Sequence, residues 1–355
     1  MKRKMLAMLL TGMMAASLLA GCGNTAQETA SETAPEEEAA AEETETQEEP
    51  AGEAEEATAE GAGKSAYGDV TAKENYNLYV IVKSMSSDFW RAAADGAEDE
   101  AQALGVTVTV IGPSSNTDIA DQVQMLNNAV NSKPDGIGIA ASDKEAVMDS
   151  LQAAKDMGIP VICFNSGVPN APEGSVYATA STNNYNAGGI AAENMYAALI
   201  GSDKYVADAA ESGDESTADV IIEVKVPAQA TSELCAIEAG VLLNEQDLIG
   251  IMGTNQETAE GIITADDLLG KIGTDPAAGE IIACGFDSGA TIIGAIEGGR
   301  MYGAVTQSPR YQGQITVDLL TMIANGEEVQ DEETPAFWYN KENMNDPEIA
   351  PNLIK

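Results

Sequence analysis

The chain has 355 residues, with 58 acidic and 17 basic side chains, a net charge of −41 and no histidine. A nucleic-acid partner is excluded, because Lys and Arg are needed to displace the counterions around phosphate. Ser-His-Asp and Cys-His catalysis and His-ligated zinc are excluded because each needs an imidazole. At 44% apolar the chain still has the material for a core, which excludes global disorder.

The charge is unevenly placed. Residues 1–23 contain Lys2, Arg3 and Lys4 and no acid, while residues 28–60 contain 14 Glu and no base. From Lys64 onward 44 acids and 14 bases remain, a net of −30. Met5 to Ala20 is a largely apolar run, interrupted at Thr11, Gly12 and Ser17 and ending in Leu19-Ala20-Gly21-Cys22. It is short for a bilayer span, which needs ~20 residues, and its basic start and small-residue end predict a signal segment over 1–21. Leu-Ala-Gly-Cys resembles the bacterial lipobox. That resemblance implies cleavage before Cys22, lipidation of its thiol and an extracytoplasmic chain anchored to the bacterial cell membrane. An ordinary signal peptide with an incidental cysteine is the alternative. Residues 22–73 are expected to be an acidic, disordered tether, since 28–60 contain no Ile, Leu, Val or aromatic residue to offset ordering entropy. A neutral flexible chain of 40 residues would span ~35 Å, and one-sign repulsion extends it further.

From residue 77 strand and helix patterns alternate. Strands are expected at 77–82, 106–111, 136–140, 160–164 and 176–180, and helices at 88–104, 118–130, 144–157 and 184–200. Ser86 or Ser87 supplies the cap of the first helix and Gly105 its stop. The polar stretch 201–218 reads as a surface loop. Strands follow at 219–226, 248–252, 280–286, 303–306 and 335–339, with helices near 231–244, 257–270, 289–297 and 311–325. Buried strands separated by helices predict an α/β fold with two doubly wound parallel-sheet lobes and a ligand cleft between them.

In such sheets ligands bind beyond the carboxyl ends of the strands. The residues there are Ser142-Asp143, Asn165, Gly253-Thr254-Asn255-Gln256, Asp287-Ser288 and Gln307. Amides and hydroxyls both donate and accept hydrogen bonds, which suits a neutral polyhydroxylated ligand. The alternative is that Asp287 and Ser288 cap the next helix and Asn165 turns the chain. Phe89 and Trp90 open the first helix about 100° apart, so one ring is expected in the core and the other facing the cleft. Cys163 and Cys284 lie in apolar strands and read as buried thiols; Cys235 lies on a helix. The cysteine spacing gives neither a disulfide framework nor a metal site, and no Gly-rich phosphate loop, EF-hand or nucleophile elbow is present, so no cofactor is expected.

Val80-Ile81-Val82-Lys83-Ser84 through Phe89-Trp90 and Gly96, then Pro134-Asp135-Gly136-Ile137, Gly158-Ile159-Pro160-Val161, Asn183 to Gly188, Gly253-Thr254-Asn255 and Gly285-Phe286-Asp287-Ser288, resemble the type I periplasmic sugar-binding proteins of ABC importers, the ribose-binding kind. The similarity spans roughly residues 74–340. It implies two lobes joined by three hinge crossovers, lobe one over 74–181 and 308–333 and lobe two over 182–307 and 334–355, closing as a hinge. It also implies ligand contacts at Phe89, Trp90, Asn165, Asn255, Asp287 and Gln307, with Asn183 near the hinge. The partners implied are a small polar ligand, a monosaccharide, and an ABC permease in the membrane. Asn165 stands where such sugar binders usually carry Asp, and Cys235 where they often carry a ligand-gripping Arg. Between 226 and 248 there is room for one helix where the family has helix, strand, helix, so lobe two is expected to be short by one strand–helix unit, by variation or by deletion. A ligand receptor for chemotaxis or signalling is the second reading, and an extracytoplasmic hydrolase a third.

Overall fold

The computed structural model describes residues 4–9, 68, 70–200, 220–229 and 231–354. Cys22, the acidic stretch 28–60 and the loop 201–218 lie outside the described residues.

The first lobe carries a six-stranded sheet. It is built from β2 (Asn77–Ile81), β3 (Thr107–Ile111), β4 (Gly136–Ile139), β5 (Val161–Phe164), β6 (Ala178–Thr182) and the late strand β12 (Glu332–Thr334), in the order β12-β6-β5-β4-β2-β3. All its pairings are parallel. Successive residues of β2 point to opposite faces: Leu78 and Val80 enter one apolar cluster and Ile81 the other. Both faces are covered, as a parallel sheet requires. Helix α1 (Asp88–Leu104) ends at Gly105, whose φ of 70° is left-handed and stops the helix. It packs on α8 (Pro309–Ala324) through two glycines: a Cβ on Gly96 would collide with the Arg310 carbonyl, and one on Gly313 with the Ala93 carbonyl. On the other face lie α2 (Ile119–Ser132) and α3 (Met148–Asp156). The expected start of α3 at 144 is corrected to 148: Asp143 Oδ1 accepts from the Glu145 and Ala146 N–H groups, and this side-chain turn delays the helix.

The second lobe follows α4 (Asn184–Ile200) with β7 (Val220–Lys225), α5 (Ser232–Leu243), β8 (Leu248–Gly253), α6 (Gln256–Leu269), β9 (Ile272–Gly273), β10 (Ile281–Phe286), α7 (Ala290–Glu297), β11 (Gly303–Thr306) and β13 (Phe337–Tyr339). Its sheet runs β13-β11-β10-β8-β1-β7, with β9 beside β10. The strand between β8 and β7 is β1 (Lys4–Leu9), parallel to both. Lys4–Leu9, the start of the run expected as a targeting segment, is thus paired in the uncleaved chain, and cleavage before Cys22 would take this strand out of the sheet. The strand occupies the position left by the short β7–β8 connection. No helix among the described residues replaces the other half of the missing unit: Ile222 on β7 and Ile237 and Val241 on α5 stay exposed, at 61%, 61% and 50%.

The chain crosses between lobes three times: from β6 into α4, from β11 into α8, and from β12 into β13.

Candidate functional site

The candidate site is assembled from strand ends. Asn165 follows β5 with φ 57° and Asp287 follows β10 with φ 67°, left-handed conformations that Asn and Asp tolerate better than most residues. Each turns the chain so that its side chain stays at the sheet's carboxyl edge. Asp287 does not cap the helix that follows it; that cap is Gly289, without a side-chain bond. Instead its carboxylate accepts from Gln307 Nε2 at 2.7 Å and from the Gln256 N–H at 3.1 Å, binding the ends of β11 and β8 to that of β10. Its backbone carbonyl accepts from the Tyr339 hydroxyl at 2.8 Å. Burial pushes the Asp287 carboxyl up to about 7, against the two hydrogen bonds that favour its charged form.

Asn255 is the N-cap of α6. Its Oδ1 accepts from Thr258 N at 3.1 Å, and the Thr258 side chain bonds back to the Asn255 N–H. Its Nδ2 donates to Glu257 Oε2 at 2.7 Å. The other Glu257 oxygen accepts from Asn116 Nδ2 at 2.9 Å, a bond from the loop after β3 across to lobe two. Burial raises the Glu257 carboxyl above the usual range, while Asn116 and the Lys83 ammonium pull it back.

Lys83 follows β2. Its ammonium donates to Ser166 Oγ at 2.5 Å and lies 5.5 Å from the Trp90 ring centroid. Burial lowers it to about 8. Phe89 and Trp90 do not divide between core and cleft as expected: each is 5% exposed. They meet edge-on at 4.9 Å, and Trp90 meets Phe164 at 6.3 Å, so both rings belong to one cluster and Trp90 borders the cleft through Lys83. Asn183 stands apart from the other candidates. It bonds Glu333 and the first turn of α4, beside an open cavity of about 600 Å³ that Gly167, Thr179, Ser181 and Asp331 also line.

Lys83, Asn116 and Glu257 were not among the sequence candidates. Lys83 and Asn116 follow strands at the sheet's carboxyl edge, so the strand-end rule could have found them; Glu257 sits two residues beyond the Asn255 cap. Gln122, missed because it lies inside a helix, near the start of α2, holds the first-lobe edge together. Its Nε2 donates to the Val82 and Ala140 carbonyls and its Oε1 accepts from Ser142 N. Near these strand ends Asn116 Oδ1, Ser142 Oγ and Gln256 Oε1 are buried without a hydrogen-bond partner, the state of groups that face a ligand or water. Cys235 is fully buried, with its backbone and Cβ pressed on Gly261 of α6, and burial lifts its thiol to about 11. Among the described residues no group of three or more acidic or sulfur side chains is placed to hold a metal.

Two sheets, one all parallel and one parallel except for the antiparallel β11–β13 pair, three crossovers between them and polar strand ends in both lobes are the architecture of a two-lobed small-molecule receptor. The family model described as "Periplasmic binding protein domain" matches residues 78–328, and the chain belongs to this family. It is 24% identical over 253 residues to a D-apiose import binding protein of Actinobacillus succinogenes, covering 67% of this chain and 78% of the relative. Among solved structures it is similar to a protein of Brachyspira murdochii titled "ABC transporter, LacI family transcriptional regulator", at 30% identity and TM-score 0.69, covering 79% of this chain and 99% of that one. It is also similar to an ABC transporter solute-binding protein of Agrobacterium vitis with bound D-fucose, at 28% identity and TM-score 0.68, covering 78% and 99%.

Proposed function

We propose that this chain is the extracytoplasmic solute-binding lipoprotein of an ABC importer and captures a sugar between its lobes. The observation that carries this reading is the run of polar strand ends from both lobes, Lys83, Asn116 and Asn165 on one side and Asn255, Asp287 and Gln307 on the other. Most of these groups are amides able to donate and accept at once, as hydroxyl recognition requires. The relatives' sugar ligands support the class. Lobe one is assigned to 74–181 and 308–333 and lobe two to 182–307 and 334–355, with Asn183 at the hinge. Trp90 and Phe89 pack behind the ligand. The chain binds and hands over its ligand and does not transform it. Lipidation of Cys22 would hold the body to the membrane, where a permease is its partner, and the acidic tether would hold it off an anionic surface.

Titration calorimetry of the folded protein against D-apiose, D-allose, D-ribose, D-fucose and D-tagatose tests the ligand class. Saturable heat with at least one is the expected result. A folded sample that binds none of them, and releases no sugar detectable by mass spectrometry on denaturation, removes the sugar assignment. Labelling cells with a radioactive fatty acid, with Cys22→Ser as the control, tests the anchor.

A further inference from the structure

Gln312, in the second turn of α8, is fully buried and touches every hinge crossover. Its Nε2 lies 3.2 Å from Thr182 Oγ1, at the end of β6 where the first crossover leaves. It lies 3.3 Å from the Gln307 carbonyl, on the second crossover, and 3.3 Å from Thr334 Oγ1, at the end of β12 where the third leaves. Thr182 and Thr334 are themselves joined, hydroxyl to hydroxyl, at 3.0 Å. The Gln307 carbonyl can only accept, so it fixes which end of the Gln312 amide faces the hinge. The opposite end, Oε1, accepts from Asn165 Nδ2 at 3.2 Å. With two N–H protons, Nε2 serves the Gln307 carbonyl and the paired Thr182 and Thr334 hydroxyls, so one side chain, with the bond between those threonines, ties a strand-end candidate for ligand contact to all three connections about which the lobes turn. Through Gln307, whose Nε2 holds Asp287, the same chain of bonds reaches the strand ends of lobe two.

We propose that Gln312 is a positioning residue that couples the binding site to the hinge. Movement of Asn165 is passed through one amide to the three crossovers, and the set of lobe orientations depends on that amide being satisfied on both sides. Buried polar networks of this kind act as units, since a half-satisfied one loses the desolvation offset for every member. Physical coupling is shown by non-additivity, not by proximity.

The test is a double-mutant cycle read as a distance. Spin labels go on the exposed residues Gln102 and Glu297, one per lobe, as cysteine substitutions in the full chain with Cys22→Ser; the other three cysteines are buried. Pulsed electron resonance then gives the inter-lobe distance distribution. Gln312→Met, an apolar replacement of similar size, is expected to broaden the distribution at least twofold. Asn165→Gly, which keeps the left-handed backbone, is expected to broaden it in the parent chain and to add nothing in the Gln312→Met chain. Unchanged width in Gln312→Met, or full additivity of the two substitutions, overturns the proposal. If Gln312→Met does not fold, Gln312→Glu keeps the acceptor facing Asn165, removes the donor facing the hinge, and carries the same expectation of broadening. No ligand is added, so the outcome is separate from that of the sugar assignment.

Discussion

The two lobes solve one architectural problem with different completeness. Lobe one draws five consecutive strands from residues 77–182 and one late strand, and apolar clusters cover both faces of its sheet. Lobe two also buries both faces around β8 and β10, but the far edge of its sheet is different. There β7 pairs only with β1 among the described residues, and β1 comes from more than two hundred residues earlier in the chain. A lobe of this fold can therefore keep its polar strand ends while its distal edge is incomplete, because Asn255, Asp287 and Gln307 depend on β8, β10 and β11 and not on β7.

The largest way to break this comparison is to take β1 out of the sheet. A central strand uses its N–H groups in the ladders on both sides, and proline supplies none. Leu6→Pro in full-length protein made by cell-free synthesis should speed hydrogen exchange of the 220–225 amides by ~100-fold or more. The 77–81 and 281–286 amides should keep their protection. Unchanged protection of 220–225 would mean that β7 does not need β1. The helix contacts made by glycine can be broken in either lobe. Gly313→Ala drives a Cβ into the Ala93 carbonyl in lobe one, and Gly261→Ala drives one into Cys235 in lobe two. Overpacking of this kind costs about 1–3 kcal/mol. Each substitution should lower the melting transition of its own lobe by roughly 5–10 °C in calorimetry, and the other lobe's by less.

Most of this fold was legible in the sequence. Helix α1 begins at Asp88 and ends at Leu104, where the cap residues and Gly105 place it, and most strands lie within two residues of their apolar runs. What was not legible depends on distance in the chain. Nothing local marks Lys4–Leu9 as the neighbour of Val220–Lys225, and a basic, apolar segment reads as a targeting segment whether or not it also pairs. The rings of Phe89 and Trp90 point apart on a helix, but Trp90 meets Phe164 and both rings lie in the one apolar cluster that α8 joins, so the angle between them did not decide their burial. Asn165, Asn255, Asp287 and Gln307 were legible as strand-end residues, because strand ends are a topological rule, and they do follow β5, β8, β10 and β11. Gln312 and Gln122 were not found, because a buried amide inside a helix looks like any polar helical residue until the carbonyls it meets are known.

Asp287 in lobe two is buried and Lys83 in lobe one half-buried, and the two should respond to pH in opposite windows. The folded pKa of Asp287 is raised from 3.8 to about 7 by burial. The folded state therefore holds the proton more tightly, and the destabilisation is absent below pH 3.8, grows through the window, and is complete above pH 7. At 1.36 kcal/mol per unit it is on the order of 4 kcal/mol. The folded pKa of Lys83 is lowered from 10.5 to about 8 by burial. Its destabilisation is complete below pH 8 and fades as pH rises to 10.5, on the order of 3 kcal/mol. Urea unfolding of Asp287→Asn should show a shallower pH dependence than the parent between 4 and 7, where Glu257 still contributes, and that of Lys83→Met a shallower one between 8 and 10.5. A variant that keeps the parent's slope in its own window would show that the buried charge is neutralised by another group.

The smallest expected effect concerns the bond that spans the lobes directly. Asn116→Ala removes the donor to Glu257 Oε1 but leaves Oε2 held by Asn255. It also deletes Asn116 Oδ1, which is buried without a partner, so part of the cost is returned. The net loss should be about 1 kcal/mol, the size of one hydrogen bond to a group that keeps its other contacts. Its sign with pH is fixed by Glu257. Burial already raises that carboxyl and Asn116 lowers it, so the substitution raises it further. A raised folded pKa makes the loss larger at neutral pH than at acid pH, where the carboxyl is protonated in both states. Unfolding midpoints at pH 4 and pH 7 should therefore separate for Asn116→Ala by more than for the parent. Equal separation would place the Asn116–Glu257 bond outside the energetics that hold the two lobes together.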